Sequence, residues 1–215
     1  MNAATIDTPT VQQYAELQDA FAFFNLRLFG GRLPSAMTVL TSNPRSRGHF
    51  ANNRWGEGLR CDRAETHEIS LNPELFAVQD VRVTLSTLVH EMVHLQQQIE
   101  GKPSRSGYHN KQWANMMAEV GLVASDTGRP GGKQVGQRMT HYIEAGGAFD
   151  GACQELLDEG WQFPLARVAE VRGGAARKPT RVKFTCAECG AAAWGKPSLN
   201  IMCGDCDVVM EAEQG

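Results

Sequence analysis

Apolar residues fall into blocks whose spacing switches between helical and extended along the chain. From Val11 to Phe29 the spacing is helical, with Tyr14, Leu17, Phe21, Phe24 and Leu28 on one side, and Gly30-Gly31 ends the predicted helix. Met37 to Thr41 reads as a strand, Asn43 to Asn53 as a polar loop, Trp55 to Gly58 as a turn, and His67 to Leu71 as a second strand. Pro73 opens a short helical segment. A second long helix follows. Val83, Leu85, Leu88, Val89, Met92, Val93 and Ile99 form its apolar stripe, Asp80 is its predicted N-cap, and Gly101 with Pro103 stops it. After a Gly/Pro/Ser-rich loop from Gly101 to Gly107, a third helix is predicted to start near His109. It buries Trp113, Met116, Met117 and Val120 and ends at Gly121. The glycine-rich stretch Thr127 to Gln137 predicts a flexible loop or hairpin, and Arg138 to Ile143 predicts a strand. Gly151 to Gly160 predicts a last helix, with Leu156 and Leu157 inward and Glu155, Asp158 and Glu159 outward.

The second long helix carries the chemistry. Within it, His90-Glu91-Met92-Val93-His94 is an H-E-x-x-H motif. Residues four apart on a helix share a face, so His90 and His94 can present two imidazoles to one ion. Glu91, one step round, can reach a water on that ion without being a third ligand of the pair. This is the arrangement of a zinc hydrolase, with nitrogen donors and a carboxylate base beside the water. A catalytic zinc takes three protein ligands and keeps a fourth position open. His109, in Gly107-Tyr108-His109, is the candidate third ligand, because the loop before it lets the chain turn back toward the motif. Glu91 is then the general base that accepts a proton from the attacking water and returns it to the leaving amine.

Near the C-terminus Cys186-x2-Cys189 and Cys203-x2-Cys206 are separated by 13 residues, the spacing of a four-thiolate zinc ribbon. Four thiolates leave no open position, so this zinc is expected to be structural. A segment of about 30 residues needs the metal to fold. Phe184 and Trp194 are assigned to its small core, with stacking on unpaired bases as the alternative. Cys61 and Cys153 are left over as ordinary thiols.

These residues resemble the SprT-like zinc metalloproteases. The likeness is carried by the H-E-x-x-H helix, the later Gly107-x-His109 before a helix with an aromatic residue, and the paired cysteines. Phe24 to Pro34 and the strand Glu68 to Asn72 resemble the family's stretches before the motif. The resemblance implies an α+β zincin-type fold, with a small sheet packed on metal-bearing helices. It also implies a three-histidine zinc site at His90, His94 and His109, and Glu91 as base. It implies a protein substrate, and DNA as a partner, single-stranded or crosslinked to that protein. A nucleic-acid-binding zinc protein with a non-catalytic metal site is the alternative.

Composition narrows the setting. The 215 residues leave room for one catalytic domain and a small module, and 42% apolar with 21% charged residues is ordinary for a globular protein. The expected organisation is a flexible N-terminus at 1–10, a metalloprotease domain at 11–163, a basic linker at 164–183, the ribbon at 184–210 and an acidic tail at 211–215. The linker carries Arg167, Arg172, Arg177, Lys178, Arg181 and Lys183. It reads first as a solvated linker and second as a phosphate-contacting arm. The net charge of −3 does not of itself point to nucleic acid. No apolar run approaches the ~18 residues of a membrane span, and Met1 to Thr10 lacks a secretory signal, so a cytoplasmic location is expected. His49, in the polar loop, and His67, at a strand start, are read as surface and structural histidines. His141 and Tyr142 are weighed as donors to an oxyanion, with strand packing the favoured reading.

Overall fold

The structure, a computed structural model, describes residues 8–56, 66–166 and 181–213. Most of the expected flexible N-terminus, Glu57 and Gly58 of the expected turn, Cys61, and residues 167–180 of the expected linker lie outside the described residues. The chain divides into two compact units, Met1–Ala169 and Glu170–Gly215.

The first unit is α+β. Helix α1 (Pro9–Phe29) is capped by Thr8 and ends at Gly30, whose φ of 64° is the left-handed conformation that favours glycine. It buries Leu17, Phe21, Phe24 and Phe29, while Tyr14 is exposed rather than on the apolar side. Strands β1 (Ala36–Leu40), β2 (Gly48–Trp55) and β3 (Thr66–Leu71) form a sheet in the order β1-β3-β2. Strand β3 is parallel to β1 and antiparallel to β2. Helix α2 (Val81–Glu100) is capped by the Asp80 side chain on Arg82 N at 2.7 Å. It is buried almost all round through its middle, from Thr84 to Val93. Ile99, expected in its stripe, is exposed because it lies in the last turn, beyond the packed part. Helix α3 is Lys111–Glu119, strands β4 (Leu122–Ser125) and β5 (Thr140–Ile143) form an antiparallel pair, and helix α4 is Ala148–Asp158. Phe24, Leu88, Trp113, Leu122 and Phe149 share one core, with Phe24 stacked on Phe149 at 5.6 Å.

Three expectations change. The polar segment Asn43 to Asn53 is not all loop, because its second half, with Trp55, is strand β2. It is an edge strand, half-buried at Gly48–Ala51 and exposed beyond, so it shows no alternation. Strand β4 was not expected at all. Helix α3 starts two residues after His109, with Asn110 as its cap.

The second unit holds strands β6 (Val182–Thr185), β7 (Ala192–Gly195), β8 (Met202–Cys203), β9 (Val208–Val209) and β10 (Glu211–Ala212). Residues 211 and 212, read as acidic tail, pair with β6. Phe184 is buried with Met210 beside the cysteines. Trp194 is not in that core and is 66% exposed. It pairs across from Lys183, and cross-strand partners share a face, so it lies on the side of the sheet opposite Phe184.

Candidate metal centre

Helix α2 puts His90 and His94 one turn apart, and the chain returns to them at His109. That return is fixed on two sides. Asn110 Oδ1 caps α3 at Trp113 N (3.0 Å) and also accepts from Gln97 Nε2 of α2 (2.8 Å), tying the two helices beside His109. The backbone of His109 exchanges two hydrogen bonds with Gly136, at 2.7 and 3.0 Å, so the glycine-rich segment read as a flexible loop or hairpin grips the candidate ligand. The result is that one ring nitrogen from each of His90, His94 and His109 lies within 4.8 Å of the others. His94 Nε2 and His109 Nε2 are 3.1 Å apart. Two nitrogens at 2.0–2.1 Å from one tetrahedral zinc are about 3.3 Å apart, so the spacing suits a shared ion.

The indole of Trp113 forms the floor. Its ring centroid lies 5.0 Å from that of His90, 5.3 Å from His94 and 4.3 Å from His109. It is fully buried, and among the described residues its Nε1 meets no hydrogen-bond partner. From the other side Phe50 of β2 stacks on His94, 6.4 Å between centroids.

The electrostatics suit a cation. Burial, then the neighbouring rings of His141, His94 and His109, holds His90 well below the ordinary histidine range. Burial, then His109, lowers His94 to about 3, and burial lowers His109. All three rings are therefore neutral near pH 7, with lone pairs available to a metal. Burial raises Glu91 to about 8. A dication among the imidazoles takes neutral nitrogen donors, and its charge favours the ionised carboxylate beside it, so the residues fit zinc.

Glu91 is 5% exposed and faces a cavity of about 1140 Å³, shared with the three histidines. Gly48 of β2 crosses directly beside it. A Cβ at position 48 would stand 2.8 Å from Ser70 O, 2.9 Å from Thr87 Cγ2 and 3.1 Å from Glu91 Oε1. Only glycine lets the edge strand pass this close. Sequence reasoning did not single out Gly48; its signal was a glycine opening a strand that was itself read as loop.

The remaining histidines separate. His49 Nε2 lies 3.1 Å from Glu68 Oε1, whose other oxygen accepts from Trp55 Nε1 at 2.8 Å, so His49 is tied to its neighbouring strand rather than loose on a loop. His67 Nδ1 accepts from Asn53 N at 3.2 Å, a structural contact. His141 reaches the centre, with Nδ1 3.1 Å from His90 Nδ1 and Nε2 2.8 Å from Ser86 Oγ. Both its nitrogens are engaged, so it presents no spare donor to an oxyanion. Tyr142 alternates to the other face of the β4–β5 pair and does not line the cavity.

In the second unit Cys186, Cys189, Cys203 and Cys206 gather with their sulfurs within 4.8 Å of one another. Cys189 and Cys203 are 3.7 Å apart, and the described cysteines are all free thiols. Backbone turns present them, with Gly190 N on Cys186 O at 2.9 Å and Asp207 N on Cys203 O at 2.9 Å. The Cys189 N–H beside it pulls the Cys186 thiol down to about 7, while the hydrogen bond with Cys189 pushes Cys206 up to about 12. The Cys186 thiolate therefore forms readily, and Cys206 needs a cation to ionise. This group is consistent with a zinc ribbon. Cys153 is buried in the first unit, and burial raises its thiol to about 11, which makes it inert. Among the described residues no helix is long and apolar enough to cross a membrane.

A family model described as the SprT-like family matches residues 17–140. The match spans His90, Glu91, His94 and His109, stops one residue short of His141, and leaves the four-cysteine group outside. No curated protein and no solved structure matched.

Proposed function

The chain belongs to the SprT-like family, whose domain is of metallopeptidase type, and from that premise we propose that it is a zinc-dependent peptidase acting on DNA-bound or DNA-crosslinked proteins in the cytoplasm. The observation that carries the reading is the gathering of three imidazoles in one cavity with a buried carboxylate among them. His90, His94 and His109 would hold the catalytic zinc, and Cys186, Cys189, Cys203 and Cys206 a second, structural one. When bound, the catalytic zinc supplies Lewis acidity, polarising the scissile carbonyl and acidifying water.

The chain's own residues do the rest. Glu91 takes the proton of the attacking water and passes it to the leaving amine. Its burial excludes bulk solvent and keeps the carboxylate basic enough to accept that proton. Substrate positioning falls to β2. It is the edge of the first sheet among the described residues and lines the cavity at Gly48, His49, Phe50 and Asn52, so an extended peptide could pair along it. Exposed Arg45, Arg47, Arg105 and Arg138 also line the cavity. They favour anionic material near the site, acidic side chains or nucleic-acid phosphates. A role for the wholly non-catalytic alternative is disfavoured by Glu91, since a structural site has no use for a buried base.

The test is incubation of the full chain with an unfolded protein and with a DNA-bound protein, each with and without single-stranded DNA. Zinc-dependent cleavage that rises with DNA supports the full reading. Cleavage indifferent to DNA keeps the peptidase and removes the DNA part. Tight DNA binding with no cleavage of either substrate would favour the alternative.

Gly48→Ala tests the account of β2. The added methyl must displace Ser70, Thr87 or Glu91. Overpacking of this kind costs about 1–3 kcal/mol, so the melting temperature should fall. Turnover should drop with it, because Glu91 is one of the groups pushed. Zinc content should not change. Wild-type melting and turnover would show that the strand does not run this close.

A further inference from the structure

His141 and Ser86 belong to no part of the motif, yet they form a chain of hydrogen bonds that ends on His90. Ser86 and His90 are four residues apart on α2 and share a face. His141 is carried to that face by β5, which is paired with the buried strand β4. Ser86 Oγ lies 2.9 Å from Val83 O, His141 Nε2 lies 2.8 Å from Ser86 Oγ, and His141 Nδ1 lies 3.1 Å from His90 Nδ1.

The far end fixes the direction of every bond. A backbone carbonyl only accepts, so the Ser86 hydroxyl donates to Val83 O. Its oxygen is then free to accept from His141 Nε2–H. A neutral imidazole has one N–H and one lone pair, so His141 Nδ1 is an acceptor. His90 must therefore donate through Nδ1–H, which leaves the lone pair on His90 Nε2. His109 shows the same device in simpler form, since its Nδ1 lies 3.3 Å from Gly136 O. Groups that bind the far nitrogen of a metal-ligating histidine set both its tautomer and its ring orientation.

We propose that His141, oriented by Ser86, is a positioning residue that holds His90 in the Nδ1–H tautomer and keeps its Nε2 lone pair turned to the metal. The proposal rests on reading His90 as a metal ligand. It also accounts for a histidine, half-buried against α2, that the peptidase reaction does not otherwise use. His141 lies just past the family match, so nothing in that match assigns it a part.

Two readouts on the full chain test it. In metal-free protein with ¹⁵N-labelled histidine, long-range ¹H–¹⁵N NMR reads the tautomer of each ring. In titrations with zinc against a chromophoric chelator, the ribbon serves as internal reference for the histidine site. Wild-type His90 should be the pure Nδ1–H form. His141→Ala should leave His90 exchanging between tautomers and weaken the histidine site about 10- to 100-fold, with the ribbon unchanged. His141→Gln should recover most of the loss, because its amide can accept from His90 and donate to Ser86. Should His141→Ala not fold, Ser86→Ala removes a single oxygen, and there the His141 ring should populate both tautomers. An unaltered His90 tautomer and unaltered zinc affinity in His141→Ala would overturn the proposal. So would an unaltered His141 ring in Ser86→Ala, or zinc bound directly to His141. A wild-type chain that binds no zinc at its histidines would instead defeat the functional reading, while the metal-free tautomers would still decide this one.

Discussion

Glu91→Gln is expected to keep both zinc ions and the fold, and to lower peptide hydrolysis by about 100- to 10,000-fold, the usual contribution of a positioned acid–base group. Glutamine matches glutamate in size and shape but cannot take a proton from water. The exchange is mild for the structure. Desolvation alone is what raises the Glu91 pKa, so a neutral amide removes a burial cost rather than a stabilising contact. Stability should therefore be unchanged or slightly higher. Rates of cleavage by mass spectrometry, alongside elemental analysis and thermal melts, separate the chemical effect from a structural one. Wild-type turnover in the variant would show that Glu91 is not the base. Loss of zinc together with activity would mean that the carboxylate serves the metal rather than the proton.

His109→Ala is expected to halve the zinc content, from two ions per chain to one. Three nitrogen ligands are the least that hold a catalytic zinc firmly, and two would release it to a chelator. The position is favourable for a clean result. His109 lies in the loop before α3 and is half-buried, and its backbone pairing with Gly136 does not depend on the side chain. His90→Ala should lose the same ion but also stability, because His90 is buried in the middle of α2 against Trp113. The ion that remains should be the ribbon's, and a thiol reagent should release it. Retention of both ions in His109→Ala would require another donor in its place.

How much of this was legible in the sequence depends on where the partners of each residue lie. Helix α2 was legible because its apolar stripe, its Asp80 cap and the four-residue spacing of His90 and His94 are all local. The same holds for the four cysteines. His109 was singled out through the chemistry of zinc, which demands another donor, rather than through periodicity, and the structure brings its ring beside the other two. Strand β2 was missed because an edge strand beside a cavity buries neither face well, and Gly-His-Phe-Ala-Asn-Asn carries little β propensity. Strand β4 is four residues long and mostly buried, too short to show a period. Trp194 was misread because a cross-strand register, not its own neighbours, decides which face it takes. The contacts of His141 could not be read at all. Its partners Ser86 and His90 are 55 and 51 residues away, and only the pairing of β5 with β4 brings them together.

The central claim is that His90, His94 and His109 share one zinc with Glu91 beside it. Anomalous diffraction at the zinc edge, from crystals of the wild-type chain, tests it most directly. The account predicts two peaks per chain. One should lie about 2.0–2.1 Å from Nε2 of each of the three histidines, and the other about 2.3 Å from each of the four cysteine sulfurs. A chain with no peak among the three imidazoles, or with one that His109 does not touch, would contradict it.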